Sequence, residues 1–291
     1  MTLLRSLFSK QEDTAEPQVP PGDRVYAIGD VHGRLDLLND VLELIEADIE
    51  SRGPARNFIV LLGDLIDRGP SSAEVLERAR TYRLPGARLV FLCGNHEEVL
   101  LRLLRGESAL VRDWLRFGGA ECAESYGIDA ASLKRAEPSR AAAILRERVP
   151  KEHQEFLKDF GDTFRLGDYL FVHAGLRPGI LLHEQSQADL RWIRQPFLES
   201  GDSHGFVIVH GHTICEEVDI RDNRIGLDTG AYRTGVLTAI GLEGTERWFL
   251  QTGAGSGSRS GKAAVSAVGQ QAFGVVDSMD AAASQKERCS D

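Results

Sequence analysis

The stretch Ala27–Arg34, AIGDVHGR, decides how the rest of the chain is read. Val25, Ala27 and Ile28 close an apolar run that reads as a buried strand, yet the run stops at Gly29 and then offers Asp30 and His32. Residues i and i+2 at an extended strand tip project to the same side, so this pair can grip one cation together.

The same punctuation recurs outward from this point. A helix with Leu38, Val41, Leu42, Ile45 and Ile49 at helical spacing follows and is halted by SRGP. NFIVLLGD reads as a second buried strand, a helix starts from Ser71, and ARLVFLCGN is a third strand. Such a β-α-β-α-β run predicts a right-handed, mostly parallel sheet covered by helices. Residues 97–160 are helix-rich, with WLRFGGAECAESYG and AAAILRERV as the clearest pieces, and are expected to form a helical cap. The later short strands YLFVHAG, GFVIVHGH, EEVDI, NRIGLDTG, GVLTAIGL and ERWFLQ predict a second, more antiparallel sheet.

The chain has 291 residues, 42% of them hydrophobic, enough for one large domain. Residues 11–22 read as a proline-rich linker, so 1–22 is expected to be a flexible leader, 23–250 the folded unit and 251–291 a disordered Gly/Ser/Ala-rich tail. A net charge of -10 and a pI near 5.4 argue against a nucleic-acid or anionic-membrane partner. No stretch approaches the roughly 20 apolar residues of a membrane span. Leu3, Leu4, Leu7 and Phe8 line one face of a short N-terminal helix, a weak anchor against which stands the reading of a frayed terminus. Cys93, Cys122, Cys215 and Cys289 form no C-x-x-C pair, so neither a zinc ribbon nor a disulfide framework is expected and a reducing cytoplasm is the expected home.

In open α/β sheets reactive groups collect at the carboxyl ends of strands. Here three consecutive strands end in GDVHG, GDLIDRG and GNHE, and two later ones in FVHAG and VHGHT. One such Asp or His ordinarily caps a helix or closes a turn; five ends bearing them point to a site. Asp30, His32, Asp64, Asn95, His173 and His212 make an oxygen and imidazole set without thiolate, suited to hard or borderline divalent ions. Six ligands exceed what one ion with an open position needs, whereas two ions sharing a carboxylate need about this number.

In this order GDVHG, GDLIDRG, GNHE, HAG, GHT and DTGA resemble the phosphoprotein phosphatases, the serine/threonine branch of the calcineurin-like metallophosphoesterases, over about 24–240. The resemblance implies an α/β fold, a four-layer α-β-β-α sandwich of two mixed sheets with the helical cap inserted beside it. It implies a two-metal centre, with Mn²⁺, Fe, Zn or Mg as the ions. Asp30, His32 and Asp64 would hold the first ion, and Asn95, His173 and His212 would join a bridging Asp64 on the second. His96 would be the general acid, oriented by Asp67, and Arg68, Arg194 and Asn95 would bind the substrate phosphate. A water activated between the ions would attack phosphorus in line. Where wider relatives carry G-H-x-H this chain has Ile214, which leaves His210 as a supporting or core histidine. Where many relatives read R-G-N-H it has Cys93, a lost cation for which Arg191 is the candidate compensation. Cys93 reads as a buried small hydrophobe or as an oxidation-sensitive thiol.

A phosphorylated protein is the expected substrate. The alternatives are a symmetrical dinucleoside tetraphosphatase or other small-molecule phosphoesterase, a nuclease, and a non-catalytic metal-binding module. The second aspartate of GDLIDRG favours the protein phosphatase.

Overall fold

The computed structural model describes residues 16–253, 264–267 and 289–290. Strand β1 (Asp23–Ile28), helix α1 (Leu35–Ser51), β2 (Arg56–Leu61), α2 (Ser72–Thr81) and β3 (Ala87–Phe91) follow in the predicted order. Helix α3 (Asn95–Arg105) opens a helical region continuing through α4 (Val111–Trp114), a π turn (Leu115–Gly119), α5 (Ala120–Ser125), α6 (Ala130–Arg135), α7 (Pro138–Arg148) and α8 (Lys151–Lys158). Then come β4 (Thr163–Leu166), β5 (Tyr169–Val172), α9 (Gln187–Trp192), β6 (Val207–His210), β7 (Ile214–Cys215), β8 (Asp219–Ile220) and β9 (Arg224–Gly226). The short α10 (Ala231–Thr234), β10 (Thr238–Glu243) and β11 (Glu246–Gln251) complete the main body, with β12 (Ala264–Ala267) and β13 (Cys289–Ser290) beyond it.

Two mixed sheets result. The first has the order β12-β11-β10-β1-β2-β3 and the second β4-β5-β6-β9-β8. In the first, β1, β2 and β3 run parallel, and β10 pairs antiparallel with β1. The second is less antiparallel than expected, because β5, β6 and β9 are mutually parallel. GVLTAIGL and ERWFLQ do not join it. As β10 and β11 they extend the first sheet, occupying the open edge of β1.

Alternation along the strands divides the core into three. Tyr26 and Ile28 face α1, whose Leu38, Val41, Leu42 and Ile45 are buried against the sheet. Val25 and Ala27 point the other way and meet Phe171 and Val209 between the sheets. Leu170, Val172 and Ile208 face outward to Leu190, Ile193 and Phe197. These are the interfaces of the four-layer α-β-β-α sandwich.

Corrections fall at the chain ends. The expected flexible leader is packed from Gln18, whose N–H donates to Asp168 Oδ2 at 3.0 Å, and Val19 is buried between the sheets. Residues 1–15, with the apolar N-terminal face, lie outside the described residues, as do 254–263, 268–288 and 291 of the expected tail. The tail's 264–267 pairs antiparallel with β11, and 289–290 with β7, each meeting an open strand edge. Cys215 is disulfide-bonded, contrary to the expectation from cysteine spacing, whereas Cys93 and Cys122 are free and buried. Among the described residues no helix is long and apolar enough to cross a membrane.

Candidate active site

The loops after β1, β2, β3, β5 and β6 carry the motif residues, and backbone bonds clamp them together. Val31 and His32 both donate N–H to Asp64 O, at 3.1 and 2.9 Å, and Gly211 donates to His173 O at 2.8 Å. The buried Glu97 carboxylate accepts N–H from Asp64, Leu65 and Gly94 at 2.8, 2.8 and 2.9 Å, tying the β2 loop to the start of α3. Gly94 is required here, because a Cβ would collide with Asp64 Oδ1. His32, Asp64, Asp67, Arg68 and His212 all have positive φ, between 46° and 70°, and are the non-glycine residues with that conformation among those described. Left-handed backbone costs on the order of 1 kcal/mol per residue, and its concentration in these loops marks where geometry overrides local preference. His32 is therefore not part of an extended tip, and the same-side projection expected for Asp30 and His32 does not apply.

Two clusters share Asp64. His32, Asp64 and His96 present ligand atoms all within 4.8 Å of one another, and so do Asp64, His173 and His212. Asp64 Oδ2 is 3.6 Å from His32 Nε2, and Oδ1 is 3.5 Å from His173 Nε2. Donors about 2.1 Å from a common ion are separated by roughly 3.0–3.5 Å, so these spacings fit divalent ions. The free valences fit as well. His32 Nδ1 faces Ile66 O at 2.8 Å and His173 Nδ1 faces Leu62 O at 2.9 Å, which fixes the Nδ1–H tautomer and leaves Nε2 as a lone pair. His32 Nε2 and His212 Nε2 are buried without a hydrogen-bond partner. His173 Nε2 faces Asn95 Oδ1 at 3.0 Å, two acceptors that repel unless a cation joins them or the amide turns over. These orphaned lone pairs converge on the ionised Asp64, a donor set that could hold divalent metal.

Asp30 belongs to neither of these two groups. Its carboxylate accepts the His212 N–H, 3.2 Å to Oδ1 and 3.0 Å to Oδ2. Burial first, then the charges of Asp228 and Asp64, push its carboxyl well above the usual range. Burial likewise raises Asp228 to about 6. Three buried carboxylates packed together are stabilised by a cation, which again fits the donor set.

His96 differs from the other imidazoles. Its Nδ1 lies 2.6 Å from Asp67 Oδ2, and its Nε2 is 3.8 Å from Asp64 Oδ2. Burial opposes a charge on His96, but the carboxylates of Asp64 and Asp67 outweigh it and raise the pKa. Burial dominates at His32, His173 and His212, which are pulled down and stay neutral. One buried imidazole is thus tuned to carry a proton beside three tuned to offer lone pairs. Asp67 is held by two further bonds: Trp114 Nε1–H donates to both its oxygens at 3.2 and 3.1 Å, and its own N–H donates to Ser72 Oγ at 2.9 Å.

Arg68 donates its N–H to Gly118 O at 2.9 Å, and its guanidinium lies 4.9 Å over the Tyr232 ring, which meets His32 edge-on. Arg194 Nε is buried without a partner, and the guanidinium acts on His212 electrostatically. Arg191 does not compensate for the arginine missing at Cys93. It is ion-paired with Asp162 at 2.6 Å and Glu98 at 3.4 Å. His210 is a core residue, its ring against Phe197 and burial lowering it to about 4. Sequence reasoning missed Trp114, Glu97 and Asp228. GNHE and DTGA contained the last two, and the tryptophan of WLRFGG was legible only as a helix residue.

The fold and the shared-carboxylate site define a two-sheet metallophosphoesterase. The calcineurin-like phosphoesterase family matches residues 23–227, and the chain belongs to it. It is 26% identical over 232 residues to the bis(5'-nucleosyl)-tetraphosphatase PrpE [asymmetrical] of Bacillus velezensis, covering 73% of this chain and 86% of that protein. It is 27% identical over 272 residues to the symmetrical bis(5'-nucleosyl)-tetraphosphatase of Methylobacillus flagellatus, covering 76% and 92%. The crystal structure of a candidate diadenosine tetraphosphatase shares the fold at a TM-score of 0.57 and 20% identity, over 82% of this chain and all of that one. These proteins carry tetraphosphatase names. The superfamily is therefore established, while the phosphoprotein phosphatase branch expected from GDLIDRG is not.

Proposed function

We propose that the protein hydrolyses a phosphate anhydride of a dinucleoside polyphosphate. The observation that carries the phosphoester chemistry is the Asp64 carboxylate shared between two histidine clusters, and the similarity to two tetraphosphatases over most of their length supports the substrate class. Asp64, His32, His173, His212 and Asn95, with Asp30 behind them, would hold two divalent ions. When bound, such ions supply Lewis acidity towards phosphoryl oxygens and lower the pKa of water towards neutrality. Arg68 and Arg194 present guanidinium groups to phosphate oxygens, a match that lysine's point charge lacks. Hydrolysis joins water oxygen to one phosphorus as the P–O–P bridge to the departing nucleotide breaks. His96, oriented by Asp67, supplies the proton that the departing oxygen takes up.

A second reading, phosphomonoester hydrolysis on a phosphoprotein, is favoured by the His96–Asp67 pair itself. An alkoxide is a more basic leaving group than a nucleotide phosphate and depends more on a positioned proton donor. Steady-state assays with Mn²⁺ on diadenosine tetraphosphate and on a phosphoserine peptide separate the two. A kcat/KM at least tenfold higher on the dinucleotide is expected, and the reverse order would overturn the proposal. The products, two ADP or AMP with ATP, report which bridge is cut.

A further inference from the structure

Phe117 and Trp192 are the large aromatic side chains that stand exposed among the described residues, at 63% and 42% of their surface. Scattered exposed apolar residues need no explanation. Each of these two, however, is linked to one of the two candidate phosphate-binding arginines, Phe117 through its neighbour's bond to Arg68 and Trp192 along the chain to Arg194.

Phe117 lies on the π turn between α4 and α5, and the next residue's carbonyl, Gly118 O, holds the Arg68 N–H at 2.9 Å. In a regular helix Trp114 and Phe117, three residues apart, would share a face. Beyond that point the helix is interrupted, Phe117 standing at φ -98°, ψ 21° and Gly118 at φ 110°. Trp114 is buried on Asp67, whereas Phe117 faces solvent.

Trp192 ends α9, two residues before Arg194. Its indole Nε1–H donates to Glu98 Oε2 at 3.2 Å, which fixes the edge of the ring, and its backbone bonds the His212 ring. Phe117 therefore belongs to the His32 side of the shared Asp64, through Arg68 and Tyr232, and Trp192 to the His212 side.

We propose that Phe117 and Trp192 are stacking platforms for the two bases of a dinucleoside polyphosphate whose phosphate chain spans the arginines. This rests on the dinucleotide reading above. Every base has a π face, and an aromatic platform binds it without reading its sequence. Two exposed rings, one next in the chain to the residue that bonds Arg68 and one two residues before Arg194, suit a ligand with an anionic middle and an aromatic group at each end.

The test is kinetic, with Mn²⁺-loaded full-length protein, on diadenosine tetraphosphate and 4-nitrophenyl phosphate. Phe117→Ala and Trp192→Ala should each lower the ratio of kcat/KM on the dinucleotide to that on the aryl phosphate by about 5- to 50-fold, chiefly through KM. The losses should add in the double variant on diadenosine tetraphosphate, and Phe117→Tyr should restore the ratio. Ile220→Ala, an exposed apolar change at the second sheet's edge, controls for surface effects. Ratios unchanged in both alanine variants, with the parent protein active on the dinucleotide, would overturn the stacking assignment alone. A parent protein that turns over the phosphopeptide and not the dinucleotide would remove the substrate reading first and this inference with it.

Discussion

His96 Nδ1 lies 2.6 Å from Asp67 Oδ2, whereas the Nδ1 atoms of His32 and His173 face main-chain carbonyls. In the proposed mechanism this difference in partner separates the proton donor from the ligands among imidazoles that are all buried. A carboxylate stabilises the imidazolium, and a carbonyl only fixes the tautomer.

The separation predicts two distinct failures. Asp64→Asn removes the charge common to both clusters and should abolish Mn²⁺ binding and turnover together. His96→Ala should lower kcat about 10²- to 10⁴-fold while Mn²⁺ still binds. Calorimetric titration of Mn²⁺ into each variant checks this, and equal loss of metal in both would contradict the assignment.

Trp114 should act on the reaction through Asp67. Trp114→Phe replaces the indole with a smaller aromatic ring and deletes its bond to a charged carboxylate, which is expected to lower kcat roughly tenfold with little change in KM. The effect should be larger on an alkyl phosphate than on 4-nitrophenyl phosphate, because the more basic leaving group depends more on His96. A uniform loss on both substrates would point to altered packing of the cap.

How much of this was legible depends on how local each role is. Asp30, His32, Asp64, Asn95 and His212 stand at strand ends beside glycines and His173 two residues before one, and strand periodicity with turn signals is readable from sequence. The roles of Trp114 and Asp228 arise only when α4 and the loop after β9 approach Asp67 and Asp30, and no spacing encodes such an approach. Strand β4 was overlooked because TFRL is short and mostly part-exposed. For β10 and β11 the sequence predicts strands but not their sheet, since alternation fixes a strand's faces and not its neighbour. Arg191 could not be judged from sequence because Asp162 and Glu98, which occupy it, lie 29 and 93 residues away.

Cys93 should be chemically quiet. Burial first, with the Glu97 charge adding to it, pushes its thiol well above the ordinary range, against the opposing pull of Arg191. The thiolate is the reactive form, so little is present at neutral pH. Peroxide should inactivate Cys93→Ser and the parent protein at the same rate at pH 7.5. A variant protected severalfold would restore the reading of a redox-sensitive site.

Metal removal should expose a pH dependence set by Asp30 and Asp228. Without a cation their burial raises both, Asp228 to about 6, so the folded chain holds protons that the unfolded chain has released. Stability from these groups is complete below about pH 3.9 and is lost as pH rises towards and through 6, by at most about 1.4 kcal/mol per group per pH unit. A bound cation stabilises the carboxylates directly, so the metal-loaded protein should lack this decline. Thermal melts with EDTA and with Mn²⁺ should therefore diverge between pH 5 and 7, and Mn²⁺ binding at pH 5.5 should release protons into a weak buffer. Asp228→Asn should reduce both the divergence and the proton release; a gap that closes as pH rises would show that these carboxylates are not the ones the metal relieves.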